Sequence, residues 1–507
     1  MPADPDGRRR PAPTRRAAAG LLVSVLALVG CTPAVPPPQP TQPTPTQTPR
    51  DFTVMTTDRA VVFDPAAATT TMDATVALDA FQRLMVVYGT QGQLHPDAAD
   101  DCLYSSPTVY QCQLKDGLTF TNGHALTASD VKFSIDRAYR LGVGGSSTSL
   151  LNSLQRVEVV GDKTVRFHLK WADSQFGYAL AAPAASIVDE QIYDPDALRA
   201  NEQLPVGSGP FTLTQATNEG LTFVRYEGYQ GATAGTIDRI RLAYGRDSVG
   251  VEQAMNDDQV EAVWRGLDPA AQARMDGEIS SGQDQLTRAG FDKLAVRSAK
   301  MQRLMWNPKS PHVLTASLRT TVAKALQPDR SQASLLPPEV DGAVNSFPVG
   351  GRPSTPTGGG QRVRLTLSYA ADVPGQQDSA RLLRDRLEER GGLSVQLRPD
   401  SADADLRLTD EPAQVNTAFG WLQPYLDNPL PGSKSKLLGL DQDARETTDP
   451  DTRRALLAEI QQQAAADLTV LPVSLGPEPF YTARDAGTEG ETFGPGNQLG
   501  LWGLRTR

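Results

Sequence analysis

Few residues of this chain are spaced for bond-making chemistry. Its four histidines, His95, His124, His168 and His312, are scattered with no metal-ligand spacing among them, and neither a G-x-S-x-G elbow nor an H-E-x-x-H pair occurs. The glycine-rich run Gly142-Val143-Gly144-Gly145-Ser146 follows a helical pattern instead of joining a strand to a helix, so it reads as a loop ending that helix and not as a phosphate cradle. Carboxylates are plentiful, yet no pair stands out from a solvated acidic surface. The residues therefore predict neither catalysis nor a bound metal or cofactor, with an exported hydrolase as the lesser alternative.

The thiols are more informative. Cys31 closes a leader in which Arg8, Arg9, Arg10, Arg15 and Arg16 form a basic n-region and Ala17 to Val29 an apolar h-region, too short to span a bilayer. Its end, Leu28-Val29-Gly30-Cys31, resembles the lipobox of bacterial lipoproteins, so residues 1–30 read as a signal peptide and Cys31 as the lipidated mature N-terminus. Arg15-Arg16 permit twin-arginine as well as general secretory export. From Thr32 to Arg50 the chain is little but Pro, Thr and Gln, which cannot bury a core; residues 31–50 read as an extended tether. With Cys31 taken by lipid, Cys102 and Cys112 remain as one even pair in an oxidising compartment and read as a disulfide. The metal or redox alternative lacks a nearby histidine or third thiol.

The formal charge of −10 becomes −13 once residues 1–30, with five arginines and two aspartates, are removed. An acidic chain without a basic, aromatic-interleaved stripe argues against nucleic acid as a partner. Residues 51–507 are long enough for two or three lobes with separate cores.

The elements that would position a site can be read from periodicity. Tyr110, Cys112 and Leu114 alternate as one face of a strand, Lys115-Asp116-Gly117 reads as a turn, and Leu118 and Phe120 alternate again, predicting a hairpin. Thr127, with Asp130 three residues on, predicts a helix start, and Val131, Ile135 and Ala138 continue at helical spacing. Later, Val363, Leu365, Leu367 and Tyr369 alternate, Leu382, Leu383 and Leu387 keep helical spacing up to Gly391-Gly392, and Leu393, Val395 and Leu397 alternate once more: a βαβ unit with a parallel sheet. Pro450 after Asp449 starts another helix carrying Leu456, Leu457, Ile460 and Ala464, followed by a strand at Leu468 to Leu475. Residues 348–361 lack a pattern and read as an exposed loop.

Within Leu94 to Leu141 the chain reads Leu94-His95-Pro96-Asp97, Leu114-Lys115-Asp116-Gly117, Asn122-Gly123 and Leu126-Thr127-Ala128-Ser129-Asp130-Val131-Lys132-Phe133-Ser134. In this order these pieces resemble the signature region of the dipeptide-, oligopeptide- and nickel-binding family of ABC-importer receptors. Phe63-Asp64-Pro65-Ala66, Pro205 to Phe211, Tyr226 to Gly231, Met301 to Asn307 and Leu318 to Asp329 follow in the family's order, with the match weakest between 330 and 450.

The resemblance implies an α/β, two-lobed periplasmic-binding-protein fold with an inserted subdomain and lobes joined by crossing strands. Residues 51–95, 205–298 and 476–507 would form lobe I, 96–204 its inserted subdomain, and 299–475 lobe II. It implies a monomeric extracytoplasmic receptor, lipid-anchored to the cell membrane, that binds a small solute, best read as a peptide, and delivers it to ABC permease and ATPase subunits. A transport-inactive sensor or scaffold with the same fold is the alternative. Gly420-Trp421 resembles the family's G-W-x-x-D-Y-x-D-P motif, so Trp421 is expected to line the cleft, a core tryptophan being the alternative. Pro424 stands where that motif's first aspartate holds a peptide amine. Trp306 and Asn307, where the chain crosses back, and Asp58 and Arg59, after the first strand, are the further candidate ligand residues.

Overall fold

In the computed structural model of the chain, residues 51–88, 92–353, 362–489 and 492–507 are described. The leader, Cys31, the tether and part of the 348–361 loop lie outside them. Residues 51–507 form one compact unit.

Ten strands make one mixed sheet: β1 (Phe52–Thr56), β2 (Phe211–Thr217), β3 (Gly220–Arg225), β4 (Arg239–Tyr244), β5 (Ala262–Trp264), β6 (Phe291–Trp306), β7 (Arg364–Tyr369), β8 (Ser394–Pro399), β9 (Leu406–Thr409) and β10 (Val470–Ala483). Their order is β8-β7-β9-β6-β10-β5-β1-β4-β3-β2. The long strands β6 and β10 pair antiparallel from Phe291↔Ala483 to Met305↔Val470 and carry the sheet from one half of the molecule to the other. On one side β1 lies parallel between β4 and β5. On the other, β7 lies parallel between β8 and β9.

The expected βαβ unit is β7, the helix Gln376–Gly391 and β8. Five helices matter here: α1 (Thr71–Ala80), α2 (Ala128–Leu141), α3 (Gln376–Gly391), α4 (Ala418–Leu426) and α5 (Pro450–Asp467). Helix α2 begins as its sequence predicts, because the Asp130 carboxylate accepts from the backbone N and Oγ1 of Thr127 at 2.8 and 2.9 Å. It ends where Gly142 turns left-handed at φ 53°, so the glycine run closes a helix. Asp449 caps α5 by accepting from Thr452 N at 2.8 Å. The strand expected at Leu468 to Leu475 begins at Val470, because Leu468 is the left-handed C-cap of α5 at φ 55°, and it extends to Ala483 as β10. Gly207 and Gly209, in the Pro205 to Phe211 run, serve close packing: a Cβ there would stand 2.1 Å and 2.5 Å from backbone oxygens of Ala80 and Asp79.

Apolar side chains gather into separate cores. Phe52, Val54, Phe211, Leu242, Trp264 and Phe480 belong to one. Met301, Leu304, Val322, Leu367, Leu387 and Ile460 belong to another. A third holds Leu114, Phe120, Ile135, Phe167 and Phe176 beside a four-stranded antiparallel sheet made by residues 99–106, 109–114, 154–160 and 164–169. Leu84, Met85 and Val87, expected in lobe I from the resemblance, pack into this third core.

The hairpin expected across Lys115-Asp116-Gly117 does not form. Val109–Leu114 pairs with Ala99–Ser106 and Thr164–Leu169, while 118–126 makes a single bridge, Thr119↔Ala125. Leu118 and Phe120 are buried, so their alternation reports burial on one face without ladder pairing.

Candidate functional site

Parallel strands present ligands at their carboxyl ends. Here the carboxyl ends of β1 and β5 in one half meet those of β7 and β9 in the other. Beyond β1 come Asp58 and Arg59, beyond β5 Arg265, beyond β7 Asp372, and beyond β9 Asp410 and Glu411. The crossing strands add Lys300 from β6 and Glu478 from β10.

Arg265 is the hub. Its Nε donates to the Asp58 carboxylate, its Nη1 lies 3.4 Å from Glu478 Oε2, and its Nη2 lies 3.3 Å from Asp410 Oδ1 and 4.0 Å from Glu411 Oε1. Lys300 Nζ stands 3.6 Å from Asp410 and 3.8 Å from Glu478. Gln376, at the start of α3, donates to Asp410 Oδ1 at 2.7 Å. Glu411 crosses to the first half, where its Oε2 accepts from Thr71 N at 2.9 Å and from Thr71 Oγ1. Arg265 holds a left-handed φ of 51°, a conformation costing a non-glycine residue about 1 kcal/mol or more that the surrounding ion pairs must offset.

Four carboxylates share two cations, Arg265 and Lys300, with little water. Asp58, Asp410, Glu478 and Arg265 are all buried. Burial pushes Asp58 up to about 7, and the neighbouring Glu411 and Asp410 charges outweigh enough of the Arg265 attraction to keep it there. Burial likewise raises Glu411, against the pull of Arg265. Burial also works on Asp410, but Arg265 and Lys300 overcome it and hold this carboxyl below the ordinary range. The site is thus a polar floor under the junction of the two halves, able to exchange charge partners with a solute.

Residues 93–431 match the family described as bacterial extracellular solute-binding proteins, family 5, middle region. The chain belongs to this family. Among relatives, the "Probable D,D-dipeptide-binding periplasmic protein DdpA" of Escherichia coli K12 is 28% identical over 221 residues, covering 39% of this chain and 42% of the relative. The chain thus matches less than half the length of that relative. A dipeptide-binding protein from Pseudoalteromonas sp. SM9913, solved with Met-Leu, superposes with a TM-score of 0.74 at 16% identity, covering 90% of this chain and all of that one. AgaA from A. tumefaciens R10, solved with agropinic acid, gives 0.74 at 18%, with 90% and 99% covered. The fold is the two-lobed periplasmic-binding fold, and β6 and β10 are its crossing strands.

Of the candidate residues read from sequence, this family 5 protein brings only Asp58 and Arg59 to the interlobe floor. Asp58 is inside the charge cluster. Arg59 sits at its rim: its backbone N donates to Asp372 Oδ2 at 3.3 Å, while its guanidinium turns away to Asn218 O and the Tyr244 ring. Trp306 is buried in the lobe II core. Asn307 braces a turn, donating to the carbonyls of Ala402 and Ala404 at 3.1 and 3.0 Å. Trp421 lies inside α4, 1% exposed, with Nε1 donating to Asn416 Oδ1 at 2.7 Å, and Pro424 is in the same helix. The G-W resemblance thus falls on a helix, and the residues that leave the cleft-facing end of β9 are Asp410 and Glu411.

Cys102 and Cys112 are joined by a disulfide across neighbouring strands, with Cα atoms 4.1 Å apart. Arg265, Lys300, Asp410, Glu411 and Glu478 are not among the candidate residues that the sequence singles out. The available signal was position: Arg265 directly follows the apolar strand Ala262–Trp264 and Asp410 the alternating strand Leu406–Thr409, where a charge at a strand's carboxyl end faces a crevice.

Proposed function

We propose that this protein is the receptor of an ABC importer, clasping a small solute between its lobes and handing it to a permease. The observation that carries this reading is the Arg265 cluster, which draws its charges from both lobes and both crossing strands. Such a cluster can redistribute when a charged solute enters, so ligand and lobe closure share the same groups. The division at 95/96, 204/205, 298/299 and 475/476 belongs to this reading, supported by the separate cores apart from the early transfer at Leu84. So do the lipid on Cys31, the monomeric state and the absence of catalysis.

Peptides are the proposed solute class, supported by the dipeptide named for two of the relatives. The acidic side of the floor, Asp410 and Glu411, would take an ammonium group in place of the aspartate that the sequence lacks at Pro424. Native mass spectrometry of protein from its own host, then calorimetry with the solute found, tests this. A peptide released on denaturation, bound with a dissociation constant of about 10 μM or tighter and accompanied by a smaller radius of gyration, is expected. Retention of a non-peptide solute would reject the peptide class, and failure of any solute to close the lobes would reject the receptor reading.

A further inference from the structure

Seven arginines are buried among the described residues, and six of them donate to protein oxygens, although Arg83 Nε, Arg330 Nε and Arg445 Nη2 are also left without a partner. Arg137 binds Asp64, Arg265 its four carboxylates, and Arg445 Asp441 and Asp173. Arg83, Arg319 and Arg330 donate to backbone carbonyls. Arg303 is the exception. It is 3% exposed, its Nε donates only to the sulfur of Met301 at 3.3 Å, and its Nη2 has no partner. Its guanidinium carbon stands over the Trp421 ring, 4.9 Å from the ring centroid. Burial lowers this guanidinium to about 10, partly opposed by Glu411.

A ring face compensates a buried guanidinium only in part, and an arginine fork is shaped for a planar oxyanion bound through two N–H groups. Glu411, the acid whose charge acts on Arg303, is held by Thr71 of the opposite lobe and by Arg265. Arg303 also stands in the right place. On β6 it is paired with Thr409, the residue before Asp410, and it follows Lys300 of the interlobe cluster by three positions, beside a register shift between Gln302 and Arg303. It therefore lies on the lobe II wall next to the floor already described, with hydrogen-bonding capacity that no protein group uses.

We propose that Arg303 is the anchor for a carboxylate of the bound solute, making this a receptor for carboxylate-bearing solutes such as peptides with a free C-terminus or N-substituted amino acids. Trp421 then backs the guanidinium and fixes its plane, acting on the solute through Arg303. The inference rests on the receptor reading, but it stands or falls separately from the peptide class.

The test uses the full mature protein and a panel of alanine di-, tri- and tetrapeptides, each as free acid and as C-terminal amide. A second arm holds N-carboxyalkyl amino acids and their methyl esters. Binding is read by calorimetry for wild type, R303K and R303Q. At least one free acid binds, its amide or ester binds about 30-fold or more weaker, R303Q loses a similar factor for the acid alone, and R303K falls between. Ligand-free R303Q melts no lower than wild type, since it removes an unpaired buried charge. Binding confined to the second arm and sensitive to R303Q rejects the peptide class and keeps the anchor. Equal binding of acid and amide keeps the peptide class and overturns the anchor. The anchor is likewise overturned when no carboxylate in either arm binds, or when ligand-free R303Q is strongly destabilised, which marks a purely structural arginine.

Discussion

The guanidinium of Arg265, at the end of a lobe I strand, lies 3.3 Å from the carboxylate of Asp410, at the end of a lobe II strand. Both side chains are almost wholly buried, and this contact joins the halves at the level of the crossing strands. Removing one partner of a buried pair leaves the others uncompensated, which typically costs about 3–5 kcal/mol. Arg265→Met should therefore destabilise the protein by about that much in urea titration and enlarge its ligand-free radius of gyration. The triple change D58N/R265M/D410N should recover most of the loss. A single-variant loss below about 1 kcal/mol would show that the cluster does not hold the lobes.

The disulfide makes a local prediction. Cys102–Cys112 closes a short loop inside the four-stranded antiparallel sheet, whose strands contribute no residue to the Arg265 cluster. In the chain-entropy picture so short a loop contributes about 2–3 kcal/mol. Replacing both cysteines by serine should lower protection of strands 99–106 and 109–114 in hydrogen exchange while leaving solute affinity within about twofold. A large affinity change would tie the insertion to the site.

How much of this was legible beforehand depended on whether the signal was local. The α2 start at Thr127 and the βαβ unit at 364–399 are written in spacing and capping, which neighbours in sequence decide, whereas the crossing strand ending at Trp306 is expected from the family resemblance alone. The hairpin at 110–120 failed because alternation reports burial and not pairing: Tyr110 found its partners at Tyr104 and Phe167. The charge cluster was illegible for the same reason. Asp58, Arg265, Glu411 and Glu478 come together only through sheet order and lobe contact, and nothing near Trp421 in sequence distinguishes a cleft wall from a helix packed over Arg303.

The membrane anchor is testable without the fold. Cys31→Ala should move the protein from the membrane fraction to the medium or soluble fraction, and mass spectrometry of wild type should find a diacylglycerol-modified N-terminus at residue 31. A mature chain that begins elsewhere without lipid would overturn the lipobox reading.

Lobe closure should depend on pH through Asp58. With the Arg265 cluster assembled between the lobes, its carboxyl is pushed up to about 7, raised from 3.8 first by burial and then by Glu411 and Asp410 against Arg265. Opening the cleft rehydrates the group and returns it toward the ordinary value, so between about pH 4 and 7 the closed form holds a proton that the open form releases. Its contribution to closure is therefore complete below about pH 4 and is lost as pH rises through 7, with a limiting slope of about 1.4 kcal/mol per pH unit. Glu411, also raised, acts in the same direction. Asp410 acts oppositely: its lowered pKa supplies stability that is present above about pH 4 and lost as pH falls further. Ligand-free protein should therefore be most closed near pH 4–5 and progressively more open toward pH 8, as followed by small-angle scattering or a dye pair placed on the two lobes. Asp58→Asn should flatten the limb between pH 5 and 7 while leaving the loss below pH 4 intact. An unchanged slope in that variant would place the titrating group elsewhere, and a flat wild-type profile would mean that Asp58 keeps its charge with the lobes shut.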